Sequence, residues 1–175
     1  LQDSARRVWI GTDKGLYCWK DNALQCADKS HSFQRACSFK GKTCFITVDG
    51  EIRTADKEGR LSLAAKLPDV SYGLDLPGNL AVGSQWVIFT SEGSFVFDTE
   101  SNMLRPSPPE WNIPGGEVSV DNRGNYWVHN KTGKLYYIRS GTGAVKVFQL
   151  MPREKVGYID MERYHVVHDS RDILW

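Results

Sequence analysis

Few residues in this chain have the type and spacing that chemistry needs. Asp160 and Glu162 would share one face of an extended segment, and paired carboxylates flanking a bond are the apparatus of glycoside hydrolysis. Surface carboxylates are common, and nothing in the surrounding sequence raises this pair above that background. His165 and His168 stand three apart; in a strand they point to opposite faces and cannot converge on one metal ion. Asp169 and Ser170 follow directly, but a triad needs nucleophile, base and orienting acid to meet through space, which adjacency does not provide. Gly41-Lys42-Thr43 has the ending of a phosphate-binding loop, yet Ala36 stands where that loop needs glycine, and strand residues follow where it needs a helix. No catalytic set, metal site or cofactor is therefore expected.

Cys18, Cys26, Cys37 and Cys44 contain no CxxC pair, which argues against a zinc ribbon or a thioredoxin-type centre. They read as small buried hydrophobes, with disulfides inside a repeat open to them in an oxidising compartment. Asn130-Lys131-Thr132 has the form of a glycosylation acceptor, but its place in a turn, where Asn tolerates the geometry, explains it better. With 22 basic and 21 acidic residues the net charge is +1, which leaves no electrostatic footprint for nucleic acid. Hydrophobic residues at 41% and charged ones at 25% are those of an ordinary globular chain. No stretch approaches the roughly 20 apolar residues of a membrane helix. Leu1 is not an initiator and the chain begins inside a motif, so it is expected to be a piece of something longer.

The elements that must position any site are repeated strands. One pattern, an apolar strand, a tight glycine turn and a second strand, occurs at Val8 to Tyr17, Cys44 to Ile52, Trp86 to Phe95 and Tyr126 to Tyr136. Its glycines, Gly15, Gly50, Gly93 and Gly133, are about 35, 43 and 40 residues apart, a period that marks propeller blades. Glycine suits a short hairpin because the connection needs positive φ, and the flanking Trp, Val, Ile, Phe, Tyr and Thr favour pleated strands. A second turn precedes each pair, as in Asp121-Asn122-Arg123-Gly124-Asn125, where Asp and Asn bond the backbone two residues on. The last full copy reads as Glu117 to Val120, Tyr126 to His129, Lys134 to Ile138 and Ala144 to Phe148, four strands of one blade.

The chain is thus expected to be all-β, a β-propeller fragment of about four four-stranded antiparallel blades at 1–30, 31–70, 71–110 and 111–150, with 151–175 starting a further one. The first blade is expected to lack its inner strand. Trp9, Trp86 and Trp127 are expected in the core between blades, and a short helical turn is allowed at Pro152 to Met161. Proline-rich connectors lie at Pro68 to Gly73, Pro106 to Gly116 and Met151 to Glu162. Binding residues concentrate on such loops. Trp111 offers either a stacking face for a sugar ring or a plug over the gap between blades; Arg153, Lys155, Tyr158 and Arg163 offer donors to hydroxyls or carboxylates.

The Asp-Ser-Arg turn at Asp169 to Arg171, the strand Trp9-Ile10-Gly11-Thr12 and the strand Gly15-Leu16-Tyr17 resemble the two-component regulator propeller repeat. The segment Ile159 to Arg171 is similar to part of the periplasmic sensor region in hybrid two-component systems of carbohydrate-degrading gut bacteria. Copies two and three lack the Gly-Thr and Gly-Leu pairs. The resemblance implies the extracytoplasmic sensor region of an inner-membrane histidine kinase, facing the periplasm, responding to oligosaccharides and signalling to transcription, usually as a homodimer. The kinase, membrane helix and DNA-binding parts of such proteins are not in this chain, and no enzyme activity is expected of it. A protein-binding propeller scaffold, and a propeller lyase or glycosidase, are the competing readings.

Overall fold

A computed structural model describes residues 1–39, 41–68, 80–90, 93–113, 116–130 and 133–150, together with 169, 171 and 173. Nearly all regular structure among them is antiparallel β. Strands β1 (Val8–Thr12), β2 (Gly15–Lys20) and β3 (Ala23–Asp28) form a first sheet, and β4 (Phe33–Phe39), β5 (Lys42–Thr47), β6 (Glu51–Ala55) and β7 (Leu61–Lys66) a second. A third contains β8 (Leu80–Val82), β9 (Gln85–Thr90), β10 (Gly93–Asp98) and β11 (Met103–Pro106). The fourth contains β12 (Gly116–Val120), β13 (Tyr126–Asn130), β14 (Lys134–Ile138) and β15 (Val145–Gln149). Each sheet runs in sequence order, the up-and-down meander of a propeller blade. One 3-10 turn, Pro109–Trp111, interrupts the connector before β12.

The first sheet has three strands. Where the others carry an inner strand, Leu1 exchanges backbone hydrogen bonds with Trp9 at 2.8 and 3.1 Å, and Gln2 bridges Val8.

Two local devices shape the sheets. The first is an aspartate turn. Asp3 Oδ1 accepts from the amides of Ala5 and Arg7, Asp121 Oδ1 from those of Arg123 and Asn125, and Asp169 Oδ1 from those of Arg171 and Ile173. The carboxylate thereby satisfies amides that the turn takes out of the ladder. A tryptophan follows six residues after each aspartate in the sequence, and Trp9 Nε1 donates to Asp3 Oδ2 at 2.8 Å. The second device is a two-residue hairpin: Thr12 pairs with Gly15, and the threonine hydroxyl donates to the glycine carbonyl there and again between Thr90 and Gly93. Gly15 has φ +135°, and a Cβ on it would lie 2.2 Å from the Asp28 carbonyl oxygen, a backbone atom that cannot yield.

The residues divide into two compact units, one of 1–74 with 97–104, the other of 75–96 with 105–175. In the first, Trp9, Leu16 and Cys18 of the first sheet pack on Phe33, Phe45 and Ala55 of the second, with the Trp9 and Phe45 rings edge to face at 5.0 Å. Burying each large side chain contributes about 2–3 kcal/mol. In the second, Leu80, Val87, Phe89 and Val96 pack on Tyr126, Val128 and Ile138, with Trp111 and Ile113 of the connector closing the layer. Trp9 and Trp86 are buried; Trp127 is half-buried, stacked on Phe148 and tilted against Tyr137. The expected helical turn at Pro152 to Met161 lies outside the described residues.

Candidate functional site

Connectors and second-to-third-strand hairpins meet at one end of the first unit. Ser32 donates its hydroxyl to the Asp13 carbonyl at 2.6 Å, and the Val48 amide donates to the Ser32 carbonyl. At this end four polar side chains converge: Asp28 from the last position of β3, His31 from the connector, and Glu51 and Arg53 from one face of β6. Asp28 Oδ1 accepts from the Ser30 amide at 2.6 Å and the His31 amide at 3.2 Å, which curls the connector back on the strand. The His31 Nδ1 then stands 3.0 Å from Asp28 Oδ2. Arg53 donates from Nε and Nη2 to Glu51 Oε2 at 3.0 and 2.8 Å, and its Nη2 lies 3.2 Å from His31 Nε2. The Nδ1 edge of the imidazole thus faces Asp28, and its Nε2 edge faces Arg53 and Glu51.

Burial pushes the Asp28 carboxyl up, but the Ser30 amide, the His31 hydrogen bond and the charges of His31 and Arg53 outweigh it and hold the group below its ordinary value. The side chains of His31, Glu51 and Arg53 remain between 18% and 21% exposed. The cluster is a charge pattern at the solvent edge of the unit. The imidazole contacts Asp28, Glu51 and Arg53. Among the described residues no group of histidine, cysteine and acidic side chains could hold a metal ion. The spacing Glu51-x-Arg53 puts both on one strand face, and that much was readable; the meeting with Asp28 and His31 depends on how two sheets pack.

Of the two readings of Trp111, stacking face or plug, the structure favours the second. It is 7% exposed; its Nε1 donates to the Gly143 carbonyl at 2.9 Å, and the Ser94 hydroxyl donates to its own carbonyl at 2.5 Å. A Cβ on Gly143 would sit 2.4 Å from the indole. With both faces covered, the ring is the plug of the two readings and has none open to a sugar. Arg153, Lys155, Tyr158 and Arg163, with Asp160, Glu162, His165 and His168, lie outside the described residues. The turn glycines have positive φ, from +70° at Gly133 to +139° at Gly93. Asp169 takes part in its turn and an ion pair with Arg171 at 2.8 Å. Lys42 is engaged too, donating to the Thr99 carbonyl at 2.5 Å and to Asn102 at 2.8 Å. In the first unit Leu1, Trp9, Leu16, Phe33 and Phe45 help line a cavity of about 130 Å³, below the roughly 300 Å³ at which small-molecule sites begin.

No protein-family model and no curated protein matches the sequence. Solved structures do match in fold. A catalytically inactive virginiamycin B lyase from Staphylococcus aureus, solved with quinupristin, is 15% identical with a TM-score of 0.63 over 100% of this chain and 60% of its own. The extracellular domain of a B. thetaiotaomicron protein assigned to a hybrid two-component system is 16% identical with a TM-score of 0.62, over 100% of this chain and 24% of its own. The N-terminal domain of Nup159 is 12% identical with a TM-score of 0.62, over 95% of this chain and 47% of its own. At such identities the likeness establishes the propeller fold, and this chain spans less than two thirds of each structure's length.

Proposed function

We propose that the chain is part of the ligand-sensing propeller of an extracytoplasmic receptor, in the manner of a hybrid two-component histidine kinase facing the periplasm, and that it contributes binding surface rather than catalysis. The observation that supports this best is the likeness, over the whole chain, to an extracellular domain of that class, joined to the aspartate turn and the Trp-Ile-Gly-Thr and Gly-Leu-Tyr strands, which resemble the sensor repeat. The ligand class is an oligosaccharide, and the parent works as a homodimer. The binding groups are the connector donors Arg153, Lys155, Tyr158 and Arg163, with the Asp28–His31–Glu51–Arg53 edge accepting hydroxyls. Trp111 supports its connector from beneath.

The test is calorimetric titration of the intact ectodomain containing this chain with a panel of plant and host oligosaccharides. One member is expected to bind, and Arg153→Ala and Tyr158→Ala to weaken it tenfold or more with folding unchanged. Wild-type affinity in both variants would move the site off these loops, and silence across the panel would remove carbohydrate as the ligand.

The lyase likeness favours a second reading. Incubating the chain with quinupristin and following the compound by liquid chromatography separates the two, because a sensor fragment leaves it unchanged.

A further inference from the structure

Two of the four cysteines stand directly opposite each other. In the ladder between β4 and β5, Cys37 pairs with Cys44, so both thiols project from the same face of the second sheet. Opposed residues in an antiparallel pair have Cα atoms about 4.5 to 5.5 Å apart, inside the roughly 4.4 to 6.8 Å that a disulfide spans. Both are free and buried. The other two cannot form such a pair. Cys18 lies opposite Gln25 and Cys26 opposite Tyr17, which puts Cys18 on the packed face of the first sheet and Cys26 on its open one.

We infer that Cys37 and Cys44 are a disulfide-forming pair, a covalent staple across the first hairpin of the second sheet that closes when the chain folds against a disulfide oxidant such as oxidised glutathione. The thiolate of one cysteine attacks the glutathione disulfide, forming a mixed disulfide and releasing one glutathione thiolate. The second cysteine, losing its proton to solvent, attacks the protein sulfur of that bond and releases the other. Two protein thiols are oxidised and one glutathione disulfide is reduced to two thiols. This rests on the strand register and is independent of the sensor reading.

Burial sets when the step can happen. It pushes the Cys37 thiol up to about 12, helped by the neighbouring Cys44, and the Cys44 thiol up to about 11 against the pull of Lys42. Only the thiolate attacks, so the folded, reduced chain is inert to oxidant at neutral pH, and the bond forms while the hairpin is open.

The chain is unfolded in urea, refolded in glutathione buffers from fully reduced to mostly oxidised, then denatured and alkylated. The oxidising end is expected to give two alkylated thiols in place of four, with a tryptic fragment joining the Cys37 and Cys44 peptides. Adding oxidised glutathione to the folded, reduced protein is expected to leave that pair alkylatable for at least ten times longer than refolding takes. The Cys18→Ser/Cys26→Ser variant carries the pair alone and removes mixed pairings; the chain exported to a bacterial periplasm gives the same count without refolding. Four alkylatable thiols in both the refolded and the exported wild type, or a fragment joining Cys18 or Cys26 to either partner in place of the expected one, would overturn the inference.

Discussion

Asp3 shows how much one carboxylate holds in this fold. Its Oδ1 accepts two backbone amides, and its Oδ2 accepts Arg7 Nε at 2.7 Å and Trp9 Nε1 at 2.8 Å. Arg7 in turn donates from Nη1 and Nη2 to the Asp56 carbonyl and from Nη1 to the Lys57 carbonyl, across to the second sheet. Removing one partner of a buried ion pair strands the other, so Asp3→Ala is expected to cost about 3 kcal/mol in urea unfolding. Burial pushes the Asp3 carboxyl up, and the Trp9 and Arg7 hydrogen bonds outweigh it; at Asp121 burial is likewise outweighed by the Asn125, Arg123 and Trp127 bonds. Both groups, with Asp28, have folded pKa values below their ordinary 3.8. A depressed folded value means the stabilisation is complete above about pH 5 and disappears as pH falls through 3.8 towards the folded values. The urea midpoint is therefore expected to be flat from about pH 5 to 7 and to drop below about pH 4, with a shallower drop in Asp3→Asn. Arg6 tells the opposite story. It has φ +61° at the position where the aspartate turns at Asp56 and Asp121 carry Gly59 and Gly124. A left-handed conformation costs a non-glycine residue about 1 kcal/mol, so Arg6→Gly is expected to raise stability by about 0.5–1 kcal/mol.

At the scale of the element, the hairpins differ in what their glycines are for. Gly15 combines positive φ with a backbone oxygen at 2.2 Å from any Cβ, whereas Gly83, at φ +63°, has open space around it. Gly83→Ala is expected to cost about 1 kcal/mol, the conformational term alone. Gly15→Ala adds a clash that the sheet can relieve only by parting β2 from the end of β3, and is expected to cost about 3 kcal/mol or more. Equal denaturation midpoints for the two variants would show that crowding at Gly15 is relieved cheaply. The connector before β12 is an element of the same kind. Trp111 pins it to the Gly143 carbonyl, so Gly143→Ala is expected to expel the indole and shift tryptophan emission to the red, along with a loss of about 2–4 kcal/mol.

For the molecule as a whole, the first sheet has an apolar face without a cover among the described residues. Its register places Val8, Trp19 and Leu24 in one row and Ile10, Tyr17 and Cys26 in the next, with Val8, Ile10, Trp19 and Leu24 all exposed. The matching positions of the fourth sheet are Tyr126, Ile138 and Val145, then Val128 and Tyr136, and these are packed against the third sheet. A face of this composition is built to be covered by another blade-like sheet. The isolated chain is therefore expected to self-associate at high micromolar concentration in sedimentation experiments. Ile10→Lys with Leu24→Lys should shift it towards the monomer while changing the urea midpoint little, since both side chains are exposed. Association unaffected by the pair would place the contact elsewhere.

The sequence alone determined the fold class, because its signals are local: glycines where the backbone must turn left, aspartates two and four residues before the amides they satisfy, and β-branched and aromatic runs between them. Those signals located β13, β14 and β15 to within a residue or so. What binds to what across sheets was decided only by tertiary structure. Trp111 in a proline-rich connector reads equally as platform or plug until the carbonyl of Gly143, 32 residues on, accepts a hydrogen bond from its indole N–H. Nothing within a strand says that His31 will meet Arg53, or that Cys37 will face Cys44 and Cys18 will not face Cys26. Strand register and sheet packing join residues far apart along the chain, and their free energy resides in surfaces buried together, which no local pattern of residue types records.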